Sequence, residues 1–329
     1  MKVLVTGGAG YIGSMLVRQL LRNSHQVRVA DVLHAGGESI IDLLDHPDFE
    51  FTRSDVRDAD AMREAVDGVD AVVHLAAIVG DPACAEAPDL ARSINLEASK
   101  QLYEIAEEQD VGRFVFAATC SNYGKMEDED FLDEKSPLRP VSLYAETKVE
   151  VENFLLGQPE SNTCKPTSLR FATVYGLSPR VRFDLTVNQF TKELALGKEL
   201  VIYGEQFWRP YCHVADLARS VRAVLNAENE TVAYDVFNVG DNEENYQKQT
   251  IVDLIVERIP DADLSYVEKT EDPRNYRVDF SKIHKQLDFE ITRTVPDGID
   301  EIKYIIDNGF IQDPEDPRYY NIDPAEVKA

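Results

Sequence analysis

At 329 residues the chain is long enough to bury a large core in one domain or two unequal ones, and its 43% hydrophobic and 29% charged content excludes a disordered polymer. Sixty acidic against 34 basic side chains give a formal charge of -26, a field that repels nucleic acid phosphates and anionic lipid surfaces, so neither is expected as a partner. Cys84, Cys120, Cys164 and Cys212 form no Cys-x-x-Cys or Cys/His cluster, which argues against a zinc site or a disulfide framework.

The chain begins Met-Lys-Val-Leu-Val with no charged leader or apolar run ahead of it, and no segment approaches the roughly 18 apolar residues of a membrane span. A cytoplasmic protein is expected. Short apolar strands then alternate with amphipathic stretches: strand 2–6, helix 11–23, strand 26–31, helix 60–66, strand 71–75, helix 89–108, strand 113–117, helix 144–156 and strand 167–171. That alternation predicts a parallel sheet covered by helices on both faces, an α/β fold. Beyond Tyr175 the order loosens. Helices are expected over 187–196, 216–227 and 248–258, strands over 199–203 and 236–239, and the segment 276–283 belongs to the later part. The tail from Pro314, rich in Pro, Asp and Tyr, is expected to wrap the surface.

Strand 2–6 runs into Gly7-Gly8-Ala9-Gly10-Tyr11-Ile12-Gly13 and then a helix. Gly7, Gly10 and Gly13 allow a tight turn, a close approach to a pyrophosphate and close helix packing, and the helix N-terminus offers amides to the phosphate. Asp31 closes the second strand, where a carboxylate accepts the ribose hydroxyls of adenosine and repels a 2'-phosphate, so NAD is favoured over NADP. Asp55 and Val56 follow the next strand and are candidates to meet the adenine.

These segments, with His74-Leu75-Ala76-Ala77, Asn95, Ala118-Thr119-Cys120-Ser121, Tyr144-Ala145-Glu146-Thr147-Lys148, Arg170-Phe171-Ala172-Thr173-Val174-Tyr175-Gly176, Trp208-Arg209-Pro210-Tyr211, Phe237-Asn238-Val239-Gly240 and Asp272-Pro273-Arg274, resemble extended short-chain dehydrogenase/reductases of the nucleotide-sugar epimerase and dehydratase type. The resemblance covers residues 1 to about 300. It implies a Rossmann-type, doubly wound NAD-binding domain over 1–174 and 211–240. A smaller, mostly C-terminal α/β nucleotide-sugar-binding domain would occupy 175–210 and 241–329, in a homodimer joined by helices 89–108 and 144–156. It implies cofactor contacts at Leu75, Ala76, Ala77 and Asn95, and substrate contacts at Thr119, Ser121, Thr173, Arg182, Asn188, Arg209 and Arg274.

Tyr144 and Lys148 stand four apart on a predicted helix and share one face. The ammonium lowers the phenol pKa and holds the nicotinamide ribose, Tyr144 serves as general base toward a sugar hydroxyl, and Thr119 adds a hydrogen bond to the same oxygen. His74 is expected to be structural. The chemistry after oxidation to a 4-keto sugar depends on the residues following Thr119. Dehydratases of the family carry an Asp-Glu pair there, whereas this chain has Cys120-Ser121. Cys120 is either an acid/base thiol or a small buried apolar group. The expected function is a nucleotide-diphosphate-sugar epimerase that recycles NAD. The alternatives are a dehydratase or C3/C5 epimerase using Cys120, a 4-keto-sugar reductase, and a non-catalytic NAD-binding protein.

Overall fold

A computed structural model of the protein describes residues 1–125, 131–268 and 274–321. The strands among them are β1 (Lys2–Thr6), β2 (Gln26–Asp31), β3 (Phe49–Arg53), β4 (Ala71–His74), β5 (Arg113–Thr119), β6 (Lys165–Phe171), β7 (Thr173–Tyr175), β8 (Leu200–Tyr203), β9 (Trp208–His213), β10 (Asp235–Val239), β11 (Asn245–Gln247) and β12 (Leu264–Val267). Seven of them form one parallel sheet in the order β10-β6-β5-β4-β1-β2-β3. From β1 the chain winds outward through β2 and β3, and from β4 it winds the other way through β5 and β6. The crevice between β1 and β4 is therefore the topological switch point, where such sheets take ligands beyond their strand C-termini.

Both faces of this sheet are covered, so its central strands β1, β4 and β5 are buried almost end to end and adjacent residues join different cores. In β1, Val3 and Val5 enter one core and Leu4 the other; in β5, Val115 enters the first, Phe114 and Phe116 the second. Helices Tyr11–Arg22 and Val214–Asn226 close the first face through Leu16, Leu20, Leu217 and Val221. Helices Ala59–Val66, Ala98–Glu108 and Leu143–Leu156 close the second through Met62, Leu102 and Val151. The helix expected over 89–108 contains a π turn, Ser93–Glu97, between its α-helical halves.

A third core holds Tyr175, Phe190, Ile202, Tyr211, Ile251 and Ile299. It lies among helices Thr186–Ala195, Lys248–Val256 and Val295–Asp307, the three-stranded sheet β11-β9-β7 and the pair β12-β8. Two expected assignments change. The boundary at 211 falls inside β9, whose partners are β7 and β11, so the chain returns to the large sheet only with helix Val214–Asn226. Tyr276, Val278, Phe280, Ile283 and Phe289 sit in the first core of the large sheet, so 276–289 packs with the cofactor half and not with the later region. Helix Val295–Asp307 was not foreseen; Thr294 and Asp297 form its capping box, and Pro296 sits in its first turn. Among the described residues no helix is long and apolar enough to cross a membrane.

Candidate active site

The glycine loop is shaped by contacts too close for any side chain. A Cβ on Gly7, whose φ is +73°, would lie 2.8 Å from the Ala76 amide nitrogen, and one on Gly13 would lie 2.1 Å from the Gly7 carbonyl oxygen. Helix Tyr11–Arg22 starts at Gly10 with no side-chain cap, so its first amides remain available to an anion in the crevice. Asp31 is half-buried beside this loop. One oxygen accepts from the Ala9 amide at 3.0 Å and the other from Leu33 at 2.8 Å. Each oxygen keeps a lone pair for a ribose hydroxyl. Burial pushes the Asp31 carboxyl up, against the two amides that hold it down.

Not every expected cofactor residue presents its side chain. The Tyr11 phenol donates to the Gly176 carbonyl and accepts from Asn188 at 3.2 Å, so what Tyr11 offers the crevice is its backbone. Ile12 packs against the first core. Asp55 is gripped by Arg57, whose Nη2 lies 2.6 Å from its carboxylate and holds it below its usual range, while Val56 is buried. Asn95 is fully buried in the π turn. Its amide accepts from Ile78 N at 2.8 Å and donates to Ile78 O at 2.9 Å. It therefore fixes the backbone at Ile78, directly after the Leu75-Ala76-Ala77 stretch. His74 bonds Thr6 Oγ1 at 2.7 Å and Ser99 Oγ at 2.8 Å. Burial pushes it down to about 3, so it stays neutral and structural.

Lys148 donates to the Ala117 carbonyl at 2.9 Å, and its ammonium stands 4.7 Å from the Phe116 ring centroid and 5.9 Å from that of Tyr144. Ala117 and Thr119 share a face of β5, and Tyr144 lies one helical turn from Lys148, so the three expected groups gather at the C-terminal end of β5. Thr119 Oγ1 accepts from the Ser121 amide at 3.1 Å, which leaves the hydroxyl proton to donate outward. Ser142 caps helix Leu143–Leu156 through the Ala145 amide and fixes the turn carrying Tyr144.

The protonation pattern differs from expectation. The Tyr144 phenol is pushed up, first by burial and then by Cys84 and Asp81, with Arg182 opposing. Lys148 is itself pushed down to about 8 by burial. Desolvation of both groups thus outweighs the expected lowering of the phenol. Cys120 does not join the site. It is 1% exposed, lies in the first core and donates its thiol to the Arg170 carbonyl at 3.2 Å, and burial pushes it up out of any working range.

At the substrate end, the Arg209 guanidinium lies 5.5 Å from the Tyr276 ring, and both Arg209 and Arg274 act electrostatically on that phenol. Tyr276 donates to Ser121 Oγ at 3.4 Å, which joins these cations to the turn after Thr119. Arg274 pairs with Asp81 at 2.9 Å, and the other Asp81 oxygen accepts from Ser142 Oγ at 2.7 Å. Neither Tyr276 nor Asp81 was foreseen; Gly80-Asp81-Pro82 has only the local pattern of a helix start. Asp272 and Pro273 of the Asp272-Pro273-Arg274 segment lie outside the described residues.

Arg182 is buried and forked onto Asp184 at 2.9 and 2.7 Å, 5.7 Å from the Tyr11 ring. Thr173 opens β7, half-buried opposite Tyr211. Asn188 is corrected. Its side chain is saturated by Gly176 N, Gly176 O, Arg182 O and Tyr11 Oη, so it organises the loop 176–182 and has no donor left for a phosphate.

A glycine cradle at the switch point, an adenosine-side carboxylate and a Thr-Tyr-Lys group at one strand end are what a hydride-transfer dinucleotide enzyme needs. The family model described as "NAD dependent epimerase/dehydratase family" matches residues 3–240. The chain belongs to the NAD-dependent epimerase/dehydratase family. A Bacillus subtilis member, named as an uncharacterized UDP-glucose epimerase, YtcB, is 30% identical over 93% of this chain and 98% of its own. A dTDP-glucose 4,6-dehydratase of Streptomyces niveus is 29% identical over 94% of each chain. The Thermus thermophilus UDP-glucose 4-epimerase, solved in complex with NAD, superposes with a TM-score of 0.81 at 26% identity, covering 94% of this chain and 100% of that one. The family's cofactor fits the residues present, because the first amides of helix Tyr11–Arg22 carry no side-chain cap and Asp31 keeps acceptors for a ribose.

Proposed function

We propose that the protein is a nucleotide-diphosphate-sugar epimerase acting through a transient 4-keto sugar. The observation that carries this reading is the contrast at the end of β5: Thr119, Tyr144 and Lys148 gather there, whereas the Cys120 thiol faces the core and donates to Arg170 O. The group considered for moving a carbon-bound proton is thus out of reach, while epimerisation at C4 needs only oxidation, rotation of the ketone and return.

When bound, NAD would supply a reversible acceptor for the C4 hydrogen and a positive charge that favours the ionised Tyr144 phenol, opposing the burial that raises its pKa. Tyr144 takes the proton of the C4 hydroxyl as the C4–H electron pair leaves, and Thr119 donates to the same oxygen. Lys148 keeps donors beyond Ala117 O for a ribose hydroxyl. Arg209 and Arg274 pair with the substrate diphosphate and tether it while the sugar turns its other face. Return of the proton and the hydrogen leaves the substrate's oxidation state unchanged. We also propose a homodimer, joined through the helical region 89–108 and helix Leu143–Leu156.

The test is a panel of UDP-, GDP- and dTDP-sugars incubated with enzyme and no added reductant, read by mass and by the C4 proton coupling in NMR. The expected product has unchanged mass and inverted C4, and Tyr144→Phe lowers kcat by about 10²- to 10⁴-fold. Loss of water from the substrate, or turnover of 4-keto sugars alone with stoichiometric NADH or NADPH, would overturn the reading.

A further inference from the structure

The loop 178–184 carries two guanidinium groups toward the glycine cradle, and they are held very differently. Arg182 forks onto Asp184 and is matched in charge. Arg180 is not. Among the described residues its hydrogen bond is from Nη2 to the neutral carbonyl of Tyr320, at 3.0 Å, and its Nε is out of solvent with no partner at all. A guanidinium has five donors, and leaving one buried and unmet beside a second cation is costly unless an anion completes the set.

The surroundings indicate which anion. Arg180 lies close enough to Asp31 and Tyr11 for both to act on it electrostatically, with burial and Arg182 pressing it down to about 10. Tyr11 opens the helix whose amides face the crevice, and Asp31 marks the adenosine side. Among the described residues no hydrogen bond or ion pair joins Asp31 to Arg180, so Asp31 acts on it through space and keeps its acceptors for a ribose. Arg180 sits on the loop that Ser178 docks onto the start of the glycine-loop helix, through Tyr11 O at 2.6 Å and Ser14 Oγ at 3.2 Å, whereas Arg209 and Arg274 act at Tyr276.

The C-terminal segment holds that loop in place. Tyr319 O accepts from Phe183 N at 2.8 Å, and Tyr320 Oη accepts from the buried Lys192 at 2.7 Å. The Asn321 amide donates to Asp184 at 3.1 Å, and its side chain donates to Val79 O at 3.0 Å on the loop after β4. Asn321 therefore ties the Arg180 loop across to the sheet wall. We propose that Arg180 is a cofactor-binding residue that pairs with the diphosphate of NAD from the substrate side of the crevice, positioned there by the C-terminal segment 318–321.

The test uses NAD-stripped full-length enzyme and isothermal titration, first with NAD and separately with UDP, GDP and dTDP, at fixed salt. Arg180→Met is expected to weaken NAD by about tenfold or more and to leave nucleoside diphosphate affinity within twofold. Arg180→Lys, which keeps the charge and loses the fork, is the second variant in case Met disturbs folding, and is expected to fall between. Asn321→Ala, which frees the loop from Val79, is expected to speed NAD dissociation several-fold in stopped-flow release. NAD affinity within twofold of wild type in both Arg180 variants overturns the proposal. So does a loss confined to, or larger for, the nucleoside diphosphates, which would assign Arg180 to the substrate diphosphate instead.

Discussion

The two walls of the crevice are fixed by opposite means. On the sheet side, shape comes from close backbone contacts and uncharged hydrogen bonds: the Gly7 and Gly13 contacts, the clamp of the Asn95 amide on Ile78, and His74 held neutral between Thr6 and Ser99. On the facing side, shape comes from side-chain charge: the Arg182–Asp184 fork, the Arg274–Asp81 pair, and Lys192 gripping Glu315 and Tyr320. A wall built on steric limits has one conformation, whereas a wall built on ion pairs can exchange partners when a charged ligand arrives. The difference places cofactor geometry on the rigid wall and adjustable recognition on the other.

The sharpest way to break this comparison is Gly13→Ala. Its methyl would sit 2.1 Å from the Gly7 carbonyl, so the loop must move, and we expect NAD affinity to fall about 100-fold with the fold retained, measured by calorimetry and circular dichroism. Unchanged affinity would mean the sheet wall yields as readily as its neighbour.

Lys148→Met sharpens it at the junction of the two walls. Burial lowers Lys148 to about 8, below the usual lysine value, so between those pH values the unfolded chain binds a proton that the native chain does not. Stability from this group therefore rises with pH across that window, and below about pH 8 its charge is a burden. The variant is expected to raise the Tm of NAD-stripped enzyme by a few degrees at pH 7, to raise it less at pH 10, and to lower turnover at least 100-fold. A Tm gain independent of pH would show that charge burial is not its origin. The smallest effect on catalysis belongs to Cys120→Ala: kcat within twofold of wild type and a Tm lowered by a few degrees, because only core packing is lost. A large kcat loss would restore the thiol as an acid or base.

Much of the rigid wall was legible in the sequence, because strands covered on both faces read as short unbroken apolar runs, and positions that exclude a Cβ leave marks on single residues. β1, β4 and β5, the cradle, Asp31, and the Tyr144/Lys148 pair are of this kind. The facing wall was less legible because its roles depend on partners distant in sequence. Arg182 and Asn188 could be named, but not that Asp184 and Gly176 already engage them. Asp81 meets Arg274 across 193 positions. Cys120 was ambiguous for a local reason: β5 ends at Thr119, and the short 3-10 turn that follows breaks the strand's alternation just where the facing direction had to be read. Helix Val295–Asp307, by contrast, was readable and missed: Thr294-x-x-Asp297, Pro296 and the isoleucines at 299, 302, 305 and 306 are a start signal followed by an apolar stripe.

The return of residues 276–289 to the first core bears on how the protein is made. Phe280 lies over Gly240, where a Cβ would come within 2.7 Å of its ring, and Val278 and Ile283 seal the same face. A ribosome that has released the strands of the large sheet has not yet released this cover. Until some 50 further residues emerge, β10 and its neighbours present an uncovered apolar surface, at ordinary elongation rates for roughly 3 to 10 seconds. The nascent chain is then at its most exposed to chaperones and to aggregation, and an isolated 1–240 fragment would keep that exposure permanently.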